Sequence, residues 1–267
     1  MDALLNFRPL LQSGFVTTLI VTVLGALVAL IIAFLVGVAR YSKNRILSIP
    51  AGIFIEVFRG TSLIVQMFWL FYVLPFFGID LPPMVTAVIA LGFNEGAYAA
   101  EIVRSALAAV PKGQNEASIA LSLSPRRTLW RIKMPQAIAI MLPSLGNVLV
   151  DLFKNTSLVS LVTVVELTFA AQQIRTSTGQ TLAVYGFLLV VYFVVSLLLG
   201  RLVALAERVV SRRFGTGGPG RRSTGRRTAA AAGPAGVSPV SVPAQVSPMS
   251  VPAQVSPVSV PARGGVS

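Results

Sequence analysis

The sequence predicts an all-α integral membrane protein with about five transmembrane helices, N-terminus outside and C-terminus inside. Three observations carry this expectation. Hydrophobic residues fill 54% of the 267 positions and charged residues only 12%, with mean hydropathy +0.78, too little polar surface for a soluble domain of this length. Apolar runs long enough to cross a bilayer recur through the first 214 residues. Basic residues gather in alternate connections between those runs, which sets the orientation. With no Cys and no His, disulfides, thiolate or imidazole metal sites and His-dependent triads are excluded, and no metal site is expected. The net charge of +13 lies between apolar runs and in an Arg-rich tail, a distribution that speaks for membrane lipid and against a nucleic-acid partner.

Residues 15–39 are 25 positions without a charge, about 37 Å as a helix, and form the first expected span. No basic cluster precedes it, and it is longer than a signal-peptide core. The second span is expected at 53–76, the third at 83–103 with Glu95 and Glu101 embedded, the fourth at 137–153 and the fifth at 181–206. Arg40, Lys43 and Arg45 follow the first span, whereas "FFGIDLPP" after the second has no positive charge. Lys112, Arg126, Arg127, Arg131 and Lys133 follow the third, and Arg208, Arg212 and Arg213 close the fifth. Residues 154–180 are too interrupted for an ordinary span and predict a broken or re-entrant helix entering from the outer side, tolerated only where protein or a water-filled cavity surrounds it.

Residues 1–214 are thus a membrane domain and 215–267 a separate tail. Three copies of a nine-residue unit start at Val237, Val246 and Val255, each with two prolines, so a disordered or polyproline-like segment is expected. Arg221, Arg222, Arg226 and Arg227 sit either on anionic headgroups or in a solvated linker. Gly215, Gly217 and Gly220 match G-x-G-x-x-G but follow no strand and open no helix, and the sequon at Asn155 falls at membrane depth; neither carries a function. No G-x-x-x-x-G-K-[ST] run occurs, so this chain is not expected to hydrolyse ATP by that chemistry. Gly92 and Gly96, a G-x-x-x-G in the third span, predict close helix packing.

"GQNEASIALSLS" (113–124) is a short polar helix in the most basic interior stretch. Pro111 ends the preceding span, and Ser124 and Pro125 supply an N-cap and a first-turn proline for the next helix. About three turns are expected between them, with Ala117, Ala120 and Leu121 on one side. By residues alone, a helix lying on the membrane and a helix docking a partner are equal readings.

A charge at the bilayer centre costs roughly 2.5–3.5 kcal/mol, so Glu95, Asp151, Lys154 and Glu166 require partners or water. Asp151 and Lys154 are three apart and positioned to pair, either as a structural bridge or as part of a pocket for a zwitterion; Asn155, Thr156 and Ser157 add amide and hydroxyl groups beside them. These seven are the candidate substrate-path residues. Glu101 with Arg104, and Glu56 with Arg59, are expected to form structural ion pairs.

"NEASIALSLSPRRTLWRIKMP" (115–135) resembles the EAA loop of permease subunits of bacterial ABC importers, E-A-A-x-x-x-G, nine residues, then I-x-L-P. Glu116, Ala117, Ile132 and Pro135 match, while Ser118 stands for the second Ala, Ser122 for the Gly and Met134 for the Leu. Where that turn needs positive φ, Ser122 would cost about 1–2 kcal/mol. "FIEVFRGTSLIVQMFWLFYVLP" (54–75), "AYAAEIVRSAL" (97–107) and "LFKNTSLVSLVTVVEL" (152–167) resemble segments of the polar amino acid branch in the same order, so the resemblance covers about residues 10–213.

The resemblance implies a type I importer permease in the bacterial cytoplasmic (inner) membrane, pairing with a second permease subunit of the same or a related chain. A cytoplasmic ATPase would carry ATP and Mg, an extracytoplasmic solute-binding protein would deliver solute, and this chain would hold no cofactor and catalyse no covalent step. Loop 111–135 would be the coupling loop, with Glu116, Ala117, Ser118, Ser122, Ile132 and Pro135 at the ATPase contact. The solute would be a polar amino acid or a related compatible solute; "EVFRGTSLIVQMFWLFYVLPFFGIDLPP" is similar to the ectoine and hydroxyectoine members, the narrower expectation. The competing classes are a stand-alone secondary transporter or channel, against which five spans without an inverted repeat speak, and a scaffold organised by the tail.

Overall fold

Apolar runs of this length satisfy their backbone only as helices inside lipid, and helices are what form. The computed structural model describes residues 7–214, all of them helix or connection, so the expectations for the tail, its repeats and the glycine triplet at 215–220 lie outside the described residues. Helix α1 is Arg8–Tyr41, α2 is Arg45–Gly60 and α3 is Leu63–Phe68, which runs on through a π turn, Trp69–Val73, and a 3-10 turn, Leu74–Phe77. Helix α4 is Pro83–Ala109 and α5 is Lys112–Ala120. A short α6, Pro125–Thr128, passes through a π turn, Leu129–Lys133, into α7, Met134–Asn155, followed by a 3-10 turn, Thr156–Val162. Helix α8 is Leu167–Thr178 and α9 is Thr181–Phe214.

Three of these runs, Arg8–Tyr41, Pro125–Val162 and Thr181–Val209, are long and apolar enough to cross a membrane. The expected second span is not one rod. The chain bends by 103° between Arg45–Gly60 and Leu63–Phe77, and the two make a fourth span only when counted together. Thr61 and Ser62, extended at ψ 153° and 134°, end one helix and begin the next, and the hydroxyl of Thr61 turns back on the carbonyl of Val57 at 2.7 Å. The expected break at 154–180 is present. The 3-10 turn ends at Thr163, whose φ of 63° is left-handed, and α8 then starts at Leu167 with Glu166 as its N-cap.

Helix α4 has the length of a span, about 40 Å, yet 14 of its 27 residues are buried by protein, Asn94 and Glu95 among them. It needs no lipid-grade apolarity because its neighbours form its surroundings. Its most extensive interface is with α1. There the G-x-x-x-G packs as expected: a Cβ on Gly92 would lie 2.5 Å from Val28 Cγ1, and one on Gly96 would lie 2.9 Å from Ile32 Cβ. One apolar cluster joins α1, α4 and α7 through Ala33, Ala99, Val103, Leu107, Met134 and Met141. A second joins Val21, Met67, Ala87, Leu91, Val159 and Val162 around the two breaks.

Glu166 closes the second break. It is fully buried and accepts from the amides of Thr168 at 2.8 Å and Phe169 at 2.9 Å, from Tyr192 at 3.1 Å and from Thr18 at 3.3 Å. One carboxylate therefore caps α8 and fastens it to α1 and α9.

The seam between α1 and α4 yields a prediction. Gly96→Val should force the helices apart at a cost of about 1–3 kcal/mol, seen as a lower unfolding midpoint of the solubilised chain. Gly200→Ala, which meets nothing within 4 Å, should leave the midpoint unchanged or slightly higher.

Candidate functional site

The bend after α2 and the polar edges of α4 and α7 enclose a cavity of about 720 Å³. On α7 the lining residues are Ser144, Asn147, Val148, Asp151, Lys154 and Asn155, steps of three and four that place them on one helical face. On α4, Asn94, Glu95, Tyr98, Glu101 and Ile102 recur at the same period. The bend contributes Arg59, Thr61, Ser62 and Leu63.

Among the seven expected path residues, four meet here: Glu95, Asp151, Lys154 and Asn155. Asn155 Nδ2 donates to Glu95 Oε1 at 2.8 Å, tying α7 to α4. Lys154 Nζ and Asp151 Oδ1 pair at 3.3 Å with both side chains more than half exposed, so the pair faces the cavity rather than holding the bundle. The other three do not line the cavity. Thr156 is fully buried and donates to the carbonyl of Phe153 at 2.6 Å, Ser157 donates to the carbonyl of Lys154 at 2.9 Å, and Glu166 is the cap described above. Arg104 Nε donates to Glu101 Oε2 at 2.9 Å, the expected pair. The expected Glu56–Arg59 pair does not form. Among the described residues only the Glu101–Arg104 and Asp151–Lys154 pairs lie within 4 Å, and the guanidinium of Arg59 stands 5.1 Å from the centre of the Tyr98 ring. Both residues lie on α2 before the bend, and Arg59 turns its guanidinium to Tyr98 on α4 rather than to Glu56.

Sequence reasoning missed Ser144 and Asn147, whose signal was their spacing with Asp151 in an otherwise apolar run. It also missed Asn94, Tyr98, Thr61 and Ser62, which become cavity residues only through the bend.

The second candidate region is loop 111–135. Val110 and Pro111 are extended, at ψ 130° and 137°, so α4 stops and α5 restarts at a new angle. Helix α5 is nine residues, two and a half turns where about three were expected. It ends in a Schellman turn: Ser122 N donates to Ile119 O at 2.8 Å and Leu123 N to Ser118 O at 3.0 Å. Ser122 sits at φ 52°, the left-handed position usually held by glycine, so the turn forms without it. Glu116, Ala117, Ala120 and Leu121 are exposed, while Ser118 is buried and donates to Asn115 O at 2.7 Å. Ile132 and Pro135 are half-buried where the segment joins α7, apart from that exposed face. Ser124 and Pro125 start α6 as expected, though the serine side chain makes no capping bond. Lys133 Nζ donates to Tyr41 Oη at 3.0 Å, which puts this loop and the α1–α2 turn at the same end of the bundle.

Residues 25–215 match the family described as the binding-protein-dependent transport system inner membrane component. The chain belongs to that family. The permease is 46% identical over 186 residues to a probable amino-acid ABC transporter permease protein of Sinorhizobium fredii, covering 67% of this chain and 78% of the relative. It is 37% identical over 210 residues to the L-cystine transport system permease protein TcyB of Bacillus subtilis, covering 78% and 88%. A crystal structure of an amino acid ABC transporter with histidines superposes with a TM-score of 0.72 at 33% identity, covering 77% of this permease and 96% of that chain. The chain is therefore a multi-pass permease subunit of a binding-protein-dependent ABC transport system and not an enzyme, and in these systems ATP hydrolysis belongs to a separate subunit.

The strained turn is testable. Ser122→Gly should relieve about 1 kcal/mol, raising hydrogen-exchange protection of the Leu123 amide roughly fivefold.

Proposed function

We propose that the cavity is the solute path of this importer and that it takes the zwitterionic end of a polar amino acid. The observation that carries this reading is a pair of opposite charges on its wall, Glu95 and Arg59, neither of which forms an ion pair among the described residues. Among the described residues Glu95 is hydrogen-bonded only to neutral Asn155, and Arg59 has no carboxylate within 4 Å. An ammonium at Glu95 and a carboxylate at Arg59 would satisfy both, with the Asp151–Lys154 pair able to exchange partners beside them. The relatives described for cystine and for amino acids support this substrate class. Ectoine, the narrower expectation, joins a carboxylate to a cyclic cation and meets the same charge pattern, so it belongs in the test.

The chain works with a second permease subunit, a cytoplasmic ATPase that holds ATP and Mg, and an extracytoplasmic binding protein, in the bacterial inner membrane. It spans the membrane five times, counting α4 and the bent pair, with the N-terminus outside. The basic α1–α2 turn and loop 111–135 then share the cytoplasmic end. Glu116 and Ala117, on the exposed face of α5, dock the ATPase, and Ser118, Ser122, Ile132 and Pro135 shape the loop that presents them.

Two measurements check this. In vesicles containing the complete importer, Glu95→Gln and Arg59→Ala should each lower ATP-driven uptake about tenfold or more, read with labelled amino acids and with ectoine. Full uptake in both variants would remove the cavity from the path. Separately, Glu116→Lys should reduce co-purification of the ATPase subunit with the tagged permease in mild detergent; undiminished recovery would move the docking site elsewhere.

A further inference from the structure

The bend between α2 and α3 removes the helical partners of the last carbonyls of α2, and inside a membrane those oxygens need other donors. Two side-chain amides supply them. Phe58 O accepts from Gln66 Nε2 at 2.9 Å and from Asn94 Nδ2 at 3.0 Å. Asn94 Nδ2 also donates to Gln66 Oε1 at 3.2 Å, and Gln66 Nε2 to Thr61 Oγ1 at 2.7 Å and Thr61 O at 3.3 Å, so no amide hydrogen of the two is left without an acceptor. Asn94 is buried on α4, the helix fixed against α1, whereas Gln66 rides on α3 beyond the bend. Phe58 additionally packs against Phe93 with ring centres 5.5 Å apart. The residue after this doubly held carbonyl is Arg59. Its guanidinium is met by Tyr98, one turn along α4 from Asn94.

We propose that Asn94 and Gln66 are positioning residues that hold Arg59 in the cavity wall by fixing the carbonyl of Phe58. This rests on the reading of the cavity as the solute path only for its consequence in transport; the placement of Arg59 is testable without it. Without the two amides, the end of α2 is free to turn about the bend, and the guanidinium leaves the wall.

The absence of native cysteine permits a direct test. Ser62→Cys puts a single thiol on the exposed cavity wall, three residues from Arg59. In the full importer complex, modification of this thiol by an anionic and a cationic methanethiosulfonate reagent gives a rate ratio that reports nearby positive charge. Adding Arg59→Ala should lower the ratio about fivefold, the effect of one unit charge within about 8 Å on reagents of opposite sign. Adding Gln66→Met should lower it equally, and Gln66→Met together with Arg59→Ala should lower it no further. Asn94→Ser, the smaller change, serves as the second variant where Gln66→Met does not assemble with the ATPase. A ratio unchanged in an assembled Gln66 or Asn94 variant, or one that falls further in the double variant, overturns the positioning role. The same complexes are assayed for uptake. If Arg59→Ala transports normally, Arg59 has no part in the path, while the ratio alone still decides whether the amides position it.

Discussion

The close approach of α1 and α4 determines where everything else in this permease sits. Lipid tails provide no hydrophobic drive between helices, so the seam depends on dispersion contact, which glycine permits by letting backbones approach. Gly92 and Gly96 admit Val28 and Ile32, and on the other side a Cβ at Gly37 would fall 2.6 Å from the carbonyl of Ala100. Surrounded in this way, α4 can carry Asn94, Glu95 and Glu101, residues that a lipid-facing span could hold only at considerable cost. Its seam residues and its cavity residues alternate along the helix, so a shift at the seam would also move the cavity wall.

Polar side chains in the bundle fall into two groups, and both follow from the need to satisfy backbone in a dry interior. One group closes the interruptions of helices. Gln66 and Asn94 do so after Gly60, and Glu166, Thr18 and Tyr192 do so before α8. In each case a donor or acceptor comes from a helix distant in sequence, so the break also becomes a tertiary joint. The other group keeps unspent capacity and faces the cavity. Glu166 and Glu95 are both acids in apolar segments, yet the first is consumed by two backbone amides and two hydroxyls while the second meets a single amide nitrogen.

That distinction explains which parts were legible in the sequence. The places of α1, α4, α7 and α9 followed from charge-free runs and prolines, and the G-x-x-x-G seam from its spacing, because each depends on neighbours within a few residues, whereas α1 starts at Arg8 and α2 at Arg45, ahead of the apolar runs. The interruption before α8 was legible as composition. The bend at Gly60 was not, since residues 53–76 are apolar enough to pass for one span and the donors that stabilise the bend lie at Gln66 and, 36 residues on from Phe58, at Asn94. The role of Glu166 was hidden for the same reason. Its partner Thr18 is 148 positions away, and an acid that caps a helix reads like an acid that lines a path. The Asp151–Lys154 pair was legible because it is local, but its orientation toward the cavity came only with the polar stripe of α7.

The connection between the two candidate regions is covalent. Loop 111–135 is the link between α4 and α7, the helices that supply two of the three cavity walls. At one end only Val110 and Pro111 separate α4 from α5, with proline limiting the give of that joint. At the other, the run from Pro125 to Val162 is continuous helix, with the π turn Leu129–Lys133 and Pro143 lying within it ahead of the polar stripe. Lys133, bound to Tyr41, anchors the same loop to α1 and so to the glycine seam. A force applied to the exposed face of α5 therefore reaches Glu95 through α4 and Asn155 through α7, and the 2.8 Å bond between those two side chains is where the two routes meet. Under the proposed reading, in which the cavity is the solute path and α5 docks the ATPase, pulling the loop would load the cavity from both walls at once.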